Sequence, residues 1–180
     1  MEAIVANLSR FRIPLAGVWL QDWSGMVDCA GAQRVRWRWA LDEPWSPGWR
    51  AMTRRWREEL GARVLTYVNP YFAAHASGGP GHDYFAEGVA RGYFVRRSGD
   101  GAPYLLHSGD IAFCMVDFTN PDARAWMIAI VRDNLVDAAG ASGWTHDFGE
   151  YLPLDAVLSD GSDPVEYHNR YTYEWAAVAK

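Results

Sequence analysis

The residue best placed to do chemistry in this chain is an aspartate at the end of a short apolar run. Gly143-Trp144-Thr145-His146 runs into Asp147-Phe148-Gly149-Glu150. A carboxylate at a strand's carboxyl end can attack an anomeric carbon and form a glycosyl-enzyme intermediate. The same aspartate could instead cap the turn that follows. Beside it, His146 could donate to a substrate hydroxyl or sit satisfied in a wall. Glu150 could bind a hydroxyl or be a solvated loop acid. Asp22 and Asp117 close two other runs in the same manner; each could hold sugar hydroxyls, since a carboxylate accepts strong hydrogen bonds, or cap a turn.

A second cluster carries the opposite charge. Gln33-Arg34-Val35-Arg36-Trp37-Arg38-Trp39 interleaves cations with indoles. Stacking in a solvated strand or loop explains such a segment, at about 0.5–2 kcal/mol per Arg–Trp pair. It also suits an anion pocket, because a guanidinium fork and indole N–H donors can hold a tetrahedral oxyanion. The histidines at 75, 82, 107, 146 and 168 have no metal-ligand spacing, so no metal is expected, and no cofactor is called for.

The elements that must position these groups follow a loose rhythm of apolar run, turn and helix. The runs are 15–20, 63–68, 111–116 and 143–146, each nearly continuous, as in strands buried on both faces of a parallel sheet. Helical spacing covers 47–60, 83–92, 120–139 (with Asn120 as N-cap and Pro121 at N1) and 167–179. Residues 93–108 read as a β-hairpin inserted before the third run. Alternating strands and helices predict an α/β fold with right-handed crossovers, and the polar motifs all follow strands, where (β/α) barrels place their chemistry. No glycine-rich phosphate turn follows the first run, which disfavours a doubly wound dinucleotide fold. Four strand–helix units are half of the eight in a TIM-type (β/α)8 barrel. The expectation is therefore one partial barrel over residues 1–180, holding strands one to four.

Composition bounds the rest. The chain has 180 residues, 49% apolar and 22% charged, which is globular composition. A net charge of −5 argues against nucleic acid or an anionic membrane surface as partner. No apolar run has the ~18 residues of a membrane span, and residues 1–10 lack a signal-peptide pattern. Two cysteines make no disulfide framework. A cytoplasmic protein is the expectation. Ten tryptophans suit either a large core or a cleft that stacks on sugar rings.

Several stretches together resemble a known family. Trp144-Thr145-His146-Asp147-Phe148-Gly149-Glu150-Tyr151-Leu152-Pro153 resembles the nucleophile strand of the retaining α-glycosidases of glycoside hydrolase family 31. The usual pattern there is Trp-x-Asp-Met-Asn-Glu; the Asp-Phe-Gly-Glu form followed by Tyr-Leu-Pro resembles the sulfoquinovosidase branch. Val18-Trp19-Leu20-Gln21-Asp22-Trp23, with Arg34 and Trp37, resembles that branch's sulfonate-recognition segment. Asp117-Phe118-Thr119-Asn120-Pro121, with Arg124 and Trp126 beyond, resembles the family's third-strand exit. The likeness runs from about Ile13 to the end.

The resemblance implies that Asp147 is the catalytic nucleophile, that Arg34 and Trp37 are sulfonate ligands, and that Gln21 contacts a sugar hydroxyl or the sulfonate side. Asp22, His146 and Glu150 would line the pocket. The implied substrate is a small sulfonated sugar glycoside, such as sulfoquinovosyl glycerol, from which sulfoquinovose is released. The family's general acid/base and a later tyrosine have no matching position, so the chain by itself is not expected to turn over substrate. Competing expectations are an α-glucosidase or α-xylosidase on neutral sugars, and a carbohydrate-binding remnant without chemistry.

Overall fold

The four apolar runs all become strands, but they do not all join one sheet. A computed structural model describes residues 2–29, 31–74 and 81–180; His75 lies outside them. In chain order come α1 (Glu2–Arg10), β1 (Gly17–Trp19), a 3-10 turn (Gln21–Ser24), β2 (Met26–Cys29), β3 (Ala32–Val35), α2 (Trp49–Leu60), β4 (Arg63–Val68) and β5 (Tyr71–Ala73). Then follow α3 (Tyr84–Arg91), β6 (Arg96–Arg97), β7 (Leu106–Ser108), β8 (Ile111–Met115), α4 (Pro121–Ile130), β9 (Gly143–His146), β10 (Ala156–Val157) and α5 (Pro164–Ala177).

The parallel sheet has the order β1-β4-β9, with Val18 opposite Val64, Leu65 opposite Gly143 and Tyr67 opposite Thr145. Its central strand alternates. Val64, Thr66 and Val68 are fully buried, and α2 packs against this strand. The opposite face carries Arg63, Leu65 (36% exposed) and Tyr67, beside Trp19 (51% exposed) on β1.

The expected third barrel strand is a correction. The run 111–116 forms β8, which pairs antiparallel with β5 and with β7. Ile111, Phe113, Cys114, Met115 and Val116 are all buried. A strand covered on both faces loses the polar alternation that usually marks antiparallel pairing, so its sequence reads like a parallel strand. The described residues therefore hold three parallel strands rather than four, and no closed barrel.

The inserted segment turns as expected: Arg97 N–H donates to Ala102 O (2.8 Å) and Tyr104 N–H to Val95 O (2.8 Å). Its first arm then pairs through β6 with β10, while β7 turns back on β8 through Gly109. The helices sit close to their predicted spans. Asn120 Oδ1 accepts from Asp122 N–H at 2.9 Å and caps α4, whose last part widens into a π-helix (Val131–Ala138). Helix α5 starts three residues earlier than its apolar spacing suggests, because Asp163 Oδ1 caps Val165 N–H ahead of Pro164 at N1. The sequence reading missed α1, which buries only Val5.

Tryptophan density turns out to be largely architectural. Indole N–H groups of Trp19, Trp23 and Trp39 donate to the carbonyls of Thr66, Tyr67 and Tyr71 (3.0, 2.8 and 2.8 Å), tying three segments to β4 and its exit. Trp49 reaches Ala139 O and Trp175 reaches Asp147 O. A buried indole N–H needs an acceptor, and these satisfy theirs on backbone. Among the described residues no helix is long and apolar enough to cross a membrane.

Candidate active site

Parallel strands end together, so the residues just past β4 and β9 meet. Asp147 N–H donates to Val68 O at 2.9 Å, continuing the ladder by one rung. On this rung the Tyr67 hydroxyl donates to Asp147 Oδ2 at 2.7 Å. Asn69 Nδ2 lies 3.2 Å from the Tyr67 oxygen, and Asn69 Oδ1 accepts from Tyr71 N–H at 3.0 Å. Burial, with the Asp147 contact second, pushes the Tyr67 phenol well above its usual range, so it stays a neutral donor.

The backbone carrying Asp147 is held from several sides. Trp175 Nε1 of α5 donates to Asp147 O at 3.0 Å, and Gly149 N–H donates to the Tyr71 hydroxyl at 3.1 Å. Between them Phe148 adopts φ 59°, a left-handed conformation costly for a bulky residue. Its ring stacks on Tyr71 (centroids 5.6 Å, 21°) and sits 6.1 Å from Trp37, contacts that fix the conformation. Gly149 follows at φ 121°, where an added Cβ would also lie 3.3 Å from Thr172 and Trp175 of α5. Strain of this kind, over-determined by its surroundings, is typical of functional turns.

Asp147 opens into a cavity of about 430 Å³. Its walls include Gln21 after β1, Arg34 on β3, Trp37 beyond it, and Tyr67 and Phe148 from the parallel sheet. The tip of the β7–β8 hairpin (Ser108, Gly109) and Ile111 close another side. Arg34 is exposed and, among the described residues, has no ion-pair or hydrogen-bond partner, whereas nearby Arg38 is buried on Asp42 at 2.9 Å. Trp37 is 9% exposed, wedged edge-on against Phe113 (5.2 Å), and its indole N–H has no acceptor among the described residues. Asp147 is the one carboxylate among the described residues lining the space. The arrangement sets a carboxylate at one wall and, at another, a guanidinium and an indole N–H with no hydrogen-bond partner among the described residues.

The whole chain, residues 1–180, matches the model of the glycosyl hydrolases family 31 TIM-barrel domain. The chain belongs to glycoside hydrolase family 31. Within that family it is 34% identical over 164 residues to a sulfoquinovosidase of Escherichia coli (strain K12), covering 91% of this chain and 23% of that protein. It is 36% identical over 165 residues to a sulfoquinovosidase of Agrobacterium fabrum (91% and 24%). An α-xylosidase of Emericella nidulans is 32% identical over 115 residues, 63% of this chain and 14% of that one. A solved family 31 sulfoquinovosidase from E. rectale, in complex with an aza-sugar inhibitor, superposes with a TM-score of 0.87 at 31% identity, over 98% of this chain and 25% of that one. The chain thus spans about a quarter of the length of the sulfoquinovosidases it matches.

In this family 31 chain, Gln21, Arg34, Trp37 and Asp147 converge on one cavity, and three other expected pocket residues do not line it. His146 is turned to the opposite face of β9 from Asp147, because successive strand residues alternate. Its Nε2 lies 2.8 Å from Trp175 O, its Nδ1 accepts from Trp144 Nε1 at 3.1 Å, and its ring stacks on Trp175 at 3.6 Å. Asp22 sits in the 3-10 turn, and its Oδ2 accepts from Trp45 Nε1 at 3.1 Å. Glu150 lies beyond the Gly149 turn and is exposed. Asp117 is a turn residue: its carboxylate accepts from Thr119 N–H and Oγ1 and from Ser159 N–H. Reasoning on the sequence missed Tyr67, Asn69 and the hairpin tip; the polar exit Tyr67-Val68-Asn69 of a buried strand was the available signal for the first two.

The wall position of His146 has a pH consequence. Burial holds its imidazole below the ordinary value of 6.5. The unfolded chain then binds a proton near pH 6.5 that the folded chain refuses, so stability rises with pH across that window. The contribution is fully present above pH 6.5 and is lost as pH falls toward the folded value. Melting temperature is expected to fall as pH drops through 6.5, and less steeply in His146→Phe, whose ring cannot titrate. Equal slopes for the two proteins would contradict this account.

Proposed function

We propose that the protein carrying this chain is a retaining α-glycosidase for sulfonated sugars, releasing sulfoquinovose from α-sulfoquinovosides such as sulfoquinovosyl glycerol. The observation that carries this reading is the pairing, in one cavity, of Asp147 with donors of Arg34 and Trp37 that have no partner among the described residues. A sulfonate is an anion at any physiological pH, so its ligands need fixed positive charge and N–H donors. Similarity to named sulfoquinovosidases over most of the chain supports the same substrate class.

In the proposed reaction an Asp147 oxygen attacks the anomeric carbon and the glycosidic C–O bond breaks. The departing oxygen takes a proton from a second carboxyl group, and water then releases the sugar with retained configuration. Retention needs two carboxyl groups about 5–5.5 Å apart. Asp147 is one, and the second is assigned to residues beyond this chain. Gln21, at the exit of β1, is the proposed hydroxyl or sulfonate-side contact.

The test compares kcat/KM of the full-length protein on 4-nitrophenyl α-sulfoquinovoside and on the matching α-glucoside and α-xyloside. A donor set left unpaired by a neutral sugar gives discrimination of about 10⁴-fold. Comparable rates on neutral sugars would overturn the substrate class, and sulfonated-sugar binding without any product would leave a binding protein instead.

A further inference from the structure

The hydrogen bonds around Tyr67 have only one consistent direction. Asn69 is fully buried, and its side-chain amide meets the Tyr71 backbone N–H on one side and the Tyr67 hydroxyl on the other. A peptide N–H only donates, so the amide oxygen must face Tyr71 and the NH2 must face Tyr67. That NH2 also only donates, so the Tyr67 oxygen accepts from it. The single phenolic proton is then left for Asp147 Oδ2, 2.7 Å away. Turning the hydroxyl toward Asn69 would set donor against donor in a site that is 4% exposed at Tyr67. Asp147 Oδ1 makes no hydrogen bond to the described residues.

We infer that Tyr67, oriented by Asn69, is a positioning residue that selects which oxygen of Asp147 attacks: Oδ2 is held by the phenol and Oδ1 is left as the nucleophile. The inference rests on the proposed role of Asp147. Before attack the donor fixes the rotamer of the carboxylate and leaves Oδ1 free of protein partners among the described residues. After attack the C1–Oδ1 bond makes an ester, and Oδ2 becomes its carbonyl oxygen, still hydrogen-bonded to the phenol. When water attacks C1 and the C1–Oδ1 bond breaks, its electron pair returns to the carboxylate, where the same donor stabilises the recovered charge. The charged or titratable groups around Asp147 are few. Arg34 and Tyr67 share its cavity, His146 faces away against Trp175, Glu150 is exposed, and the Tyr71 phenol is bonded to Gly149.

Tyr67→Phe in the full-length protein removes the donor and little volume. A hydrogen bond to a carboxylate of this strength corresponds to about a tenfold loss in kcat. KM for 4-nitrophenyl α-sulfoquinovoside should change little. Asn69→Asp gives an independent arm: the new carboxylate offers Tyr67 an acceptor other than Asp147, and kcat should fall the same way with KM little changed. An unchanged kcat in both folded variants overturns the inference, because a packing role would lower melting temperature without a selective loss in kcat at constant KM. Asp147→Asn, assayed alongside, separates the two readings. Full loss there with kcat unchanged in the Tyr67 and Asn69 variants sinks the role of Tyr67 alone, whereas retained turnover sinks the nucleophile and the positioning role together.

Discussion

Asp147→Asn in the full-length protein is expected to lower kcat on a sulfonated α-glycoside by about 10⁴-fold or more, the scale seen when a covalent nucleophile is removed. The amide is nearly isosteric and can still accept from the Tyr67 hydroxyl, so the rung between β4 and β9 survives. Trp175 and Val68 hold the main chain of residue 147, not its side chain, and those bonds are untouched. The loss should therefore fall on chemistry rather than folding: melting temperature stays near that of the parent while product release from 4-nitrophenyl α-sulfoquinovoside disappears. Substantial residual hydrolysis by a homogeneous preparation would remove Asp147 from the nucleophile's role.

Arg34→Ala carries the second large effect, and its signature is selectivity. Losing the charged partner of a bound anion is expected to lower kcat/KM for the sulfonated glycoside by about 10²–10³-fold. A neutral α-glucoside has no anion to lose, so its small rate should be nearly unchanged. Arg34 is exposed and has no partner among the described residues, so its removal orphans none of them and stability should move by less than about 0.5 kcal/mol. Arg34→Lys should recover only part of the loss, since an ammonium cannot reproduce the planar fork. Parallel losses on both substrates would argue against a sulfonate contact at this position.

The site was more legible than the sheet. Asp147 was readable because a carboxylate directly after an apolar run emerges at a strand's end; Arg34 and Trp37 lay in a segment that simple stacking also explains, and only the family resemblance singled them out. The same rule of alternation that aims Asp147 into the cavity turns His146 away from it, a consequence present in the sequence though easily overlooked when neighbours are read as a group. Glu150 was separated from Asp147 by the Gly149 turn, whose φ of 121° no spacing argument foresees. Tyr67 stayed hidden because its importance lies in register: it comes level with Thr145 only once β4 and β9 are paired. In the fold, 63–68 matched β4 residue for residue, since one strongly apolar run ended cleanly at Asn69-Pro70. Residues 111–116 were misplaced because full burial erases the pattern that distinguishes the two kinds of sheet.

The two walls of the cavity stand on different pieces of architecture. Arg34 rides on β3, half of a two-stranded antiparallel ribbon with β2, whereas Asp147 is anchored to the parallel sheet and to α5. Such a division leaves the two walls separable: exchanging β2 and β3 for another ribbon would alter the cationic wall of the cavity, while the rung between Tyr67 and Asp147 keeps its own supports.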